Sequence, residues 1–145
     1  MNGLHLIAEL HDCRCDAGVL TNVDALREAC LAVCAVPGLT PVAQAFYQFM
    51  DGDQPAGATG AVILAESHLA VHTWPELKAV TLDLYVCNFS QDNSAAARTA
   101  FDGLLAVFSP QRVVRREIQR GKPEGSVHPE RVEGLRTNGS DLPAA

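Results

Sequence analysis

Residues 79–87 alternate strictly between apolar side chains and a second, mostly polar set, and this pattern constrains the fold more than any other feature of the sequence. Successive side chains of an extended chain point to opposite faces, so a two-residue period indicates a strand with one buried face. The chain must therefore contain a sheet that packs on one side and carries polar groups on the other. The apolar set is Val80, Leu82, Leu84 and Val86, and the second set is Thr81, Asp83, Tyr85 and Cys87.

Two further stretches have the spacing of amphipathic helices, and five have the apolar content of strands. The first helix is expected to begin near Val23, after a cap at Thr21 or Asn22, and to end before Pro37-Gly38. The second is expected to follow a cap in residues 92–94 and to end before Pro110. We predict strands at residues 5–10, 40–50, 61–65, 69–74 and 111–118, and a loop rich in Gly, Pro and Asp at residues 52–60.

The predicted order, β-α-β-β followed by β-β-α-β, indicates the fold class. Runs of neighbouring strands with helices set apart are typical of α+β proteins with an antiparallel sheet. We predict a two-layer sandwich in which two helices cover one face of the sheet. Residues 1–120 are expected to form this domain, and residues 121–145, which are polar and rich in Gly, Pro and charge, are expected to be a disordered tail.

Composition narrows the class of function. The formal net charge of −6 argues against a nucleic-acid surface, which needs clustered Lys and Arg. No apolar run approaches the roughly 18 to 20 residues that span a bilayer. The N-terminus lacks the basic region of a signal peptide, and five cysteines, an odd number, indicate reduced thiols in the cytoplasm. We therefore expect a cytoplasmic protein without nucleic-acid or membrane partners.

The residues with chemical potential concentrate in one segment, residues 66–76. His68, His72 and Trp74 share one face of an extended strand, and Cys87 ends the polar face of the alternating strand. We expect these groups to converge at one end of the sheet. The residue types alone allow three interpretations of this segment. The histidines could be ordinary half-buried residues, His68, His72 and Cys87 could form a zinc site, or the serine could belong to a hydrolase. No Cys-x2-Cys pair and no Gly-x-Ser-x-Gly elbow supports the last two, so no metal ligands are predicted.

The contiguous string Ala65-Glu66-Ser67-His68-Leu69-Ala70-Val71-His72-Thr73-Trp74-Pro75-Glu76 resembles the processing-site signature of the prokaryotic S-adenosylmethionine decarboxylases. These are small pyruvoyl-dependent enzymes of the polyamine pathway. A string of this length is far more specific than a three-residue motif. The likeness continues in residues 82–87 and 3–6 and covers residues 3–121. The fold that it implies, an antiparallel sheet backed by helices, agrees with the one predicted above.

The resemblance implies that the chain cleaves itself between Glu66 and Ser67. Ser67 would attack the Glu66 carbonyl, and elimination would leave a pyruvoyl group at residue 67. His72 matches the base that removes the Ser67 α-proton, and Thr59 matches a hydroxyl that supports processing. The products would be a β chain of residues 1–66 and an α chain of residues 67–145.

The resemblance also implies the decarboxylation chemistry. The self-derived pyruvoyl group would form a Schiff base with the substrate amine, and Cys87 matches the proton donor to the α-carbon. Phe49 and Trp74 match aromatic residues that stack on adenine, and Glu76 matches a carboxylate that binds the ribose. The Phe49 position comes from the partner subunit, so the resemblance implies a homodimer of αβ units making decarboxylated S-adenosylmethionine for spermidine.

Five departures from the family pattern leave alternatives open. None of them affects Glu66, Ser67, His72 or Cys87, so the same chemistry on L-ornithine or L-arginine is the second hypothesis. An unprocessed metal- or ligand-binding domain on the same fold is the third. The departures are Leu4, the stretch Phe46-Tyr47-Gln48-Phe49, the stretch Ala79-Val80-Thr81, Asn88 and the long segment 51–59.

Overall fold

A computed structural model describes residues 2–121 of the chain, so the predicted tail, apart from Gly121, lies outside the described residues. The fold is an α+β sandwich with one six-stranded antiparallel sheet, as predicted. No helix in the described part is long and apolar enough to cross a membrane. The strands are β1 (Gly3–Cys13), β2 (Pro41–Asp51), β3 (Gln54–Leu64), β4 (Ser67–Trp74), β5 (Ala79–Cys87) and β6 (Pro110–Arg120); the helices are α1 (Ala17–Thr21), α2 (Val23–Cys34) and α3 (Ser94–Phe108), with a 3₁₀ turn at Pro75–Leu77.

The strands are arranged in the order β2-β3-β4-β5-β1-β6. The first strand lies between the two strands from the second half of the chain, β5 and β6, and pairs antiparallel with both. The other neighbours are joined by short connections, as antiparallel pairs allow. This order places β4 and β5, which carry most of the predicted site, in the middle of the sheet.

The helices pack on one face of the sheet, as the alternating pattern predicts. The apolar set of β5 and the matching residues of β1 and β4 lie beneath the helices with almost no exposed surface. We call this the covered face and the opposite one the open face. The largest fully buried side chains of the core are Phe101, Phe108, Leu4, Leu6, Leu10, Leu26, Leu69, Leu84 and Leu104.

A third α-helix, α1, was not predicted. Its sequence contains a glycine and two β-branched residues, which disfavour helix. The Asp16 carboxylate accepts a hydrogen bond from the Gly18 N–H, and Leu20 packs into the core. The Thr73 hydroxyl then donates to the Leu20 carbonyl at 2.7 Å. Tertiary contacts therefore stabilise a helix that its own residues would not.

The prediction of a loop at residues 52–60 was wrong for most of that segment, because β3 begins at Gln54. Glycine in a strand often marks a close approach by another group rather than a loop. At Gly60 an added Cβ would lie 2.0 Å from the Phe46 ring of the neighbouring strand. The glycine is therefore required by the close approach of the Phe46 ring, and Thr59 beside it lies on a strand.

Candidate active site

The Glu66–Ser67 bond lies at the exit of a tight hairpin between two central strands. Leu64 and Ser67 are paired across the hairpin, so only Ala65 and Glu66 form the turn. The Ala65 N–H donates to the Thr40 carbonyl at 3.0 Å, and the Glu66 carboxylate accepts from the Ser90 hydroxyl at 3.0 Å. A cavity of about 120 Å³ borders the turn. The bond is thus held at an accessible bend by contacts on both sides.

Ser67 meets the end of β5 at Cys87. The backbone N–H of Cys87 donates to Ser67 Oγ at 3.2 Å, and the Cys87 side chain is buried. Tyr85 lies two residues before Cys87 on the same face. Burial raises the pKa of Tyr85, and the neighbouring Cys87 thiol raises it further. The Tyr85 hydroxyl beside Cys87 therefore keeps its proton near neutral pH.

Thr59 and His72 form a second pair on the open face. They are register partners on β3 and β4, and Thr59 Oγ1 is in hydrogen-bonding contact with His72 Nδ1. A hydroxyl on one ring nitrogen fixes the orientation of the imidazole. The His72 side chain is exposed, so its other nitrogen, Nε2, is available to a reacting group.

The three predicted substrate contacts gather at the far end of the open face. Phe49 pairs with Gly57 on β3, and an added Cβ at Gly57 would lie 3.1 Å from the Pro75 ring. The absence of a side chain at Gly57 therefore lets Pro75, next to Trp74, pack closely against β3 beside Phe49. Phe49 is 49% exposed and Trp74 is 44% exposed, and Glu76 follows in the 3₁₀ turn. Both aromatic side chains therefore present accessible surface at this end of the sheet.

The expectation that all these groups converge at one end of the sheet was wrong. His72 lies five residues along β4 from Ser67, which at about 3.3 Å per residue is roughly 16 Å. Register confirms the separation, because His68 is opposite Tyr85 whereas His72 is opposite Thr81. One chain therefore holds two half-sites, Ser67 with Cys87 at one end and Thr59, His72, Phe49, Trp74 and Glu76 towards the other.

Sequence reasoning missed a cluster on the open face between these half-sites. His5 of β1 and His68 of β4 flank Asp83 of β5, with Nε2–Oδ1 distances of 3.8 and 3.5 Å. Asp83 and His68 are visible in the sequence as outward-facing residues of their strands. The pairing of β1 with β5, which adds His5, follows from the strand order and has no local signal.

The fold has a solved counterpart. The crystal structure of the adenosylmethionine decarboxylase from Aquifex aeolicus matches it with a TM-score of 0.73 and 33% sequence identity, covering 87% of this chain and 96% of that one. The sandwich, with a serine at a central hairpin beside a buried thiol, thus defines an enzyme of the decarboxylase class.

Sequence comparison identifies the family. Residues 4–121 match the S-adenosylmethionine decarboxylase family. The S-adenosylmethionine decarboxylase proenzyme of Aquifex aeolicus is 37% identical over 135 residues, or 93% of each chain. That of Picrophilus torridus is 40% identical over 119 residues, covering 82% of this chain and 84% of the relative. The chain belongs to the S-adenosylmethionine decarboxylase family, and neither the basic amino acid decarboxylases nor an unprocessed binding domain is favoured.

Proposed function

We propose that this chain is a proenzyme that cleaves itself between Glu66 and Ser67 and then decarboxylates S-adenosylmethionine as a homodimer. The observation that carries the proposal is the placement of Ser67, whose hydroxyl lies at a hairpin bend and accepts the Cys87 N–H. The names of the relatives, which are S-adenosylmethionine decarboxylase proenzymes, support both the substrate and the cleavage.

Cleavage would begin at the hydroxyl of Ser67. Its Oγ bonds to the Glu66 carbonyl carbon while the C–N bond breaks, and the hydroxyl proton passes to the freed amine. A base then removes the Ser67 α-proton, the Cβ–Oγ bond breaks, and Glu66 leaves as a carboxylate. Water replaces the nitrogen, ammonia leaves, and residue 67 becomes a pyruvoyl group. The Cys87 N–H orients Oγ at the first of these steps, because it fixes the oxygen while leaving its proton free.

The base for α-proton removal would come from a second copy of the chain. Within one chain His72 is roughly 16 Å along the strand from Ser67, beyond the reach of an imidazole. A two-fold pairing of open faces would bring Thr59, His72, Phe49 and Glu76 of one chain to the end of the sheet where Ser67 and Cys87 of the other chain lie. The exposed aromatic and aliphatic side chains of the open face, including Tyr47 and Ile63, favour such a contact.

The surroundings of Ser67 fit the pyruvoyl group. The Cys87 N–H that now donates to Ser67 Oγ would donate equally to a carbonyl oxygen there. That carbonyl supplies the electron sink that stabilises charge at the substrate α-carbon when CO₂ leaves. The Cys87 thiol, buried one residue beyond the covered-face Val86, would return the proton to that carbon. Phe49, Trp74 and Glu76 of the partner would position the adenine and ribose.

The proposal also covers the metabolic role of the product and the cellular location of the protein. Decarboxylated S-adenosylmethionine is an aminopropyl donor, so the product would serve spermidine synthesis. All five cysteines are free, which favours the reducing cytoplasm over an oxidising compartment.

Intact mass spectrometry and CO₂ release test the proposal. Wild-type protein should consist of two fragments, residues 1–66 and an α chain that begins with a pyruvoyl group in place of Ser67. It should release CO₂ from S-adenosylmethionine and not from ornithine or arginine. Ser67→Ala should stay uncut and inactive because it lacks the nucleophile. Decarboxylase activity in the uncut variant would overturn the assignment.

Co-expression of two inactive variants tests the shared site. Ser67→Ala lacks the nucleophile, and His72→Ala lacks the base, so each alone should stay uncut. In a mixed dimer the His72→Ala chain still has Ser67 and faces the intact His72 of its partner. We expect that chain, marked by a mass tag, to be cleaved only in the mixture. If the mixture stays uncut while wild type is cleaved, the base does not come from the partner.

A further inference from the structure

The open face carries a cluster of metal-ligating atoms that the proposed decarboxylation does not use. Nε2 of His5, Nε2 of His68 and Oδ1 of Asp83 come from three neighbouring strands, β1, β4 and β5. These atoms lie within 4.8 Å of one another. Because β5 lies between β1 and β4, the carboxylate stands between the two imidazoles. The sheet therefore holds three ligands in fixed positions, which a flexible loop would not.

The ligand atoms face one another at ion-pair distance but without a hydrogen bond. Both Asp83 Oδ1 and His5 Nε2 are buried and have no hydrogen-bond partner among the described residues. The two Nε2–Oδ1 distances, 3.8 and 3.5 Å, exceed the roughly 2.7–3.2 Å of a good N–H···O hydrogen bond. Buried polar atoms normally have partners, so these two, which converge with Nε2 of the half-exposed His68, leave room for an additional bonding group.

A transition-metal ion of the zinc type fits the spacing. Its bonds to imidazole nitrogen and carboxylate oxygen are about 2.0–2.2 Å, which places tetrahedral ligands about 3.3 Å apart. The distances across Asp83 would therefore shorten by only about 0.2–0.5 Å. Imidazole ligands select this kind of ion over Mg²⁺ or Ca²⁺, which prefer sets of oxygen ligands.

We propose that His5, His68 and Asp83 bind one divalent transition-metal ion per chain, of the class of Zn²⁺ or Co²⁺. Three protein ligands leave a fourth position open on the face where substrate or partner would approach. His68 directly follows Ser67, so the ion would lie next to the bond proposed for cleavage. All three ligands belong to one chain, so binding requires neither cleavage nor dimerisation.

Titration of reduced, chelator-treated full-length protein with Co²⁺ tests the site. We expect one Co²⁺ per chain, with the visible absorption of nitrogen and oxygen ligands, displaced by Zn²⁺. His5→Asn and Asp83→Asn should each weaken binding at least about tenfold, because each removes one of three ligands. Circular dichroism and thermal unfolding of both variants show whether the fold is retained.

His11 provides the matched control. It lies on the open face of the same strand as His5, and its Nε2 is likewise buried without a hydrogen-bond partner, 3.7 Å from the Glu9 carboxylate. Among the described residues no second histidine is grouped with it. His11→Asn should bind Co²⁺ like wild type. Absence of stoichiometric binding, equal loss in His11→Asn, or an intense thiolate-to-cobalt band would each overturn the proposal. The uncut Ser67→Ala chain should bind normally, so failure of the cleavage proposal would leave this result unaffected.

Discussion

The two faces of the sheet are made from the same strands and differ in nearly every physical property. On the covered face Val62 and Leu84 are wholly buried, as is Phe101 of the covering helix α3. On the open face Ile63, adjacent to Val62, is 44% exposed, and histidines, a carboxylate and a thiol replace the aliphatic side chains. A single-residue step along a strand thus separates a position that stabilises the fold from one available for chemistry. Alternate residues of one strand therefore serve stability and function, and substitutions at neighbouring positions can test this difference.

The largest effect is expected from Phe101→Ala on the covered face. The Phe101 ring is fully buried in α3, and the Arg115 guanidinium lies 4.7 Å above it. Truncation should lower the free energy of unfolding by about 3–5 kcal/mol through lost burial and a residual cavity. Urea unfolding measures this. Phe89→Ala is the control, since Phe89 is 77% exposed and its loss should change stability by under about 0.5 kcal/mol.

Because Cys30 of α2 is buried in the core, the free energy of unfolding should depend on pH. Burial, with a smaller contribution from the neighbouring Cys34, raises the pKa of Cys30 to about 12. The unfolded thiol ionises near pH 8.5, so above that pH the unfolded state loses a proton that the folded state keeps. The free energy of unfolding should fall as pH rises towards 12, by about 1.4 kcal/mol per pH unit.

Cys30→Ala isolates this contribution. The variant should be less stable than wild type at pH 8, because it leaves a small cavity, but its stability should decline less steeply between pH 9 and 11. Urea unfolding at several pH values gives both slopes. Equal slopes in the two proteins would show that Cys30 ionises as easily when folded as when unfolded.

The smallest effect is expected from Ile63→Thr on the open face. This exchange keeps the β-branch and should change the stability of a dilute, monomeric chain by less than about 0.5 kcal/mol. In contrast, Val62→Thr places a hydroxyl among apolar side chains and should lower the free energy of unfolding by about 1–3 kcal/mol. Sedimentation velocity then measures whether Ile63→Thr weakens the proposed dimer. A large loss in the monomer would contradict the view that this face is free within one chain.

Much of the fold was predictable because its signals are local. The alternation in β5, the caps near Val23 and Ser94 and the breaks at Pro75 and Pro110 each depend on a few adjacent residues. The extent of β3 was not predictable, because Gly60 is explained only by the Phe46 ring on the neighbouring strand. Helix α1 likewise depends on the core contact of Leu20 rather than on its own propensity.

The candidate site was predictable as a set of residues but not as an arrangement. A contiguous string contains Glu66, Ser67 and His72, yet strand geometry puts the serine and the imidazole roughly 16 Å apart. The backbone N–H of Cys87 is brought to Ser67 by the pairing of β4 with β5. The cluster around Asp83 needs β1 beside β5, a long-range pairing that no short stretch of sequence encodes.

The position of β1 determines what happens to a chain cut at the central hairpin. Residues 1–66 contain β1, β2 and β3, and the remainder contains β4, β5 and β6. Since β1 is inserted between β5 and β6, each piece supplies a strand that lies inside the other. The pieces could separate only by breaking the ladders on both sides of β1 as well as the β3–β4 pairing. The severed protein would behave as a naturally split protein, whose halves are interlocked and could be reassembled from separately made polypeptides.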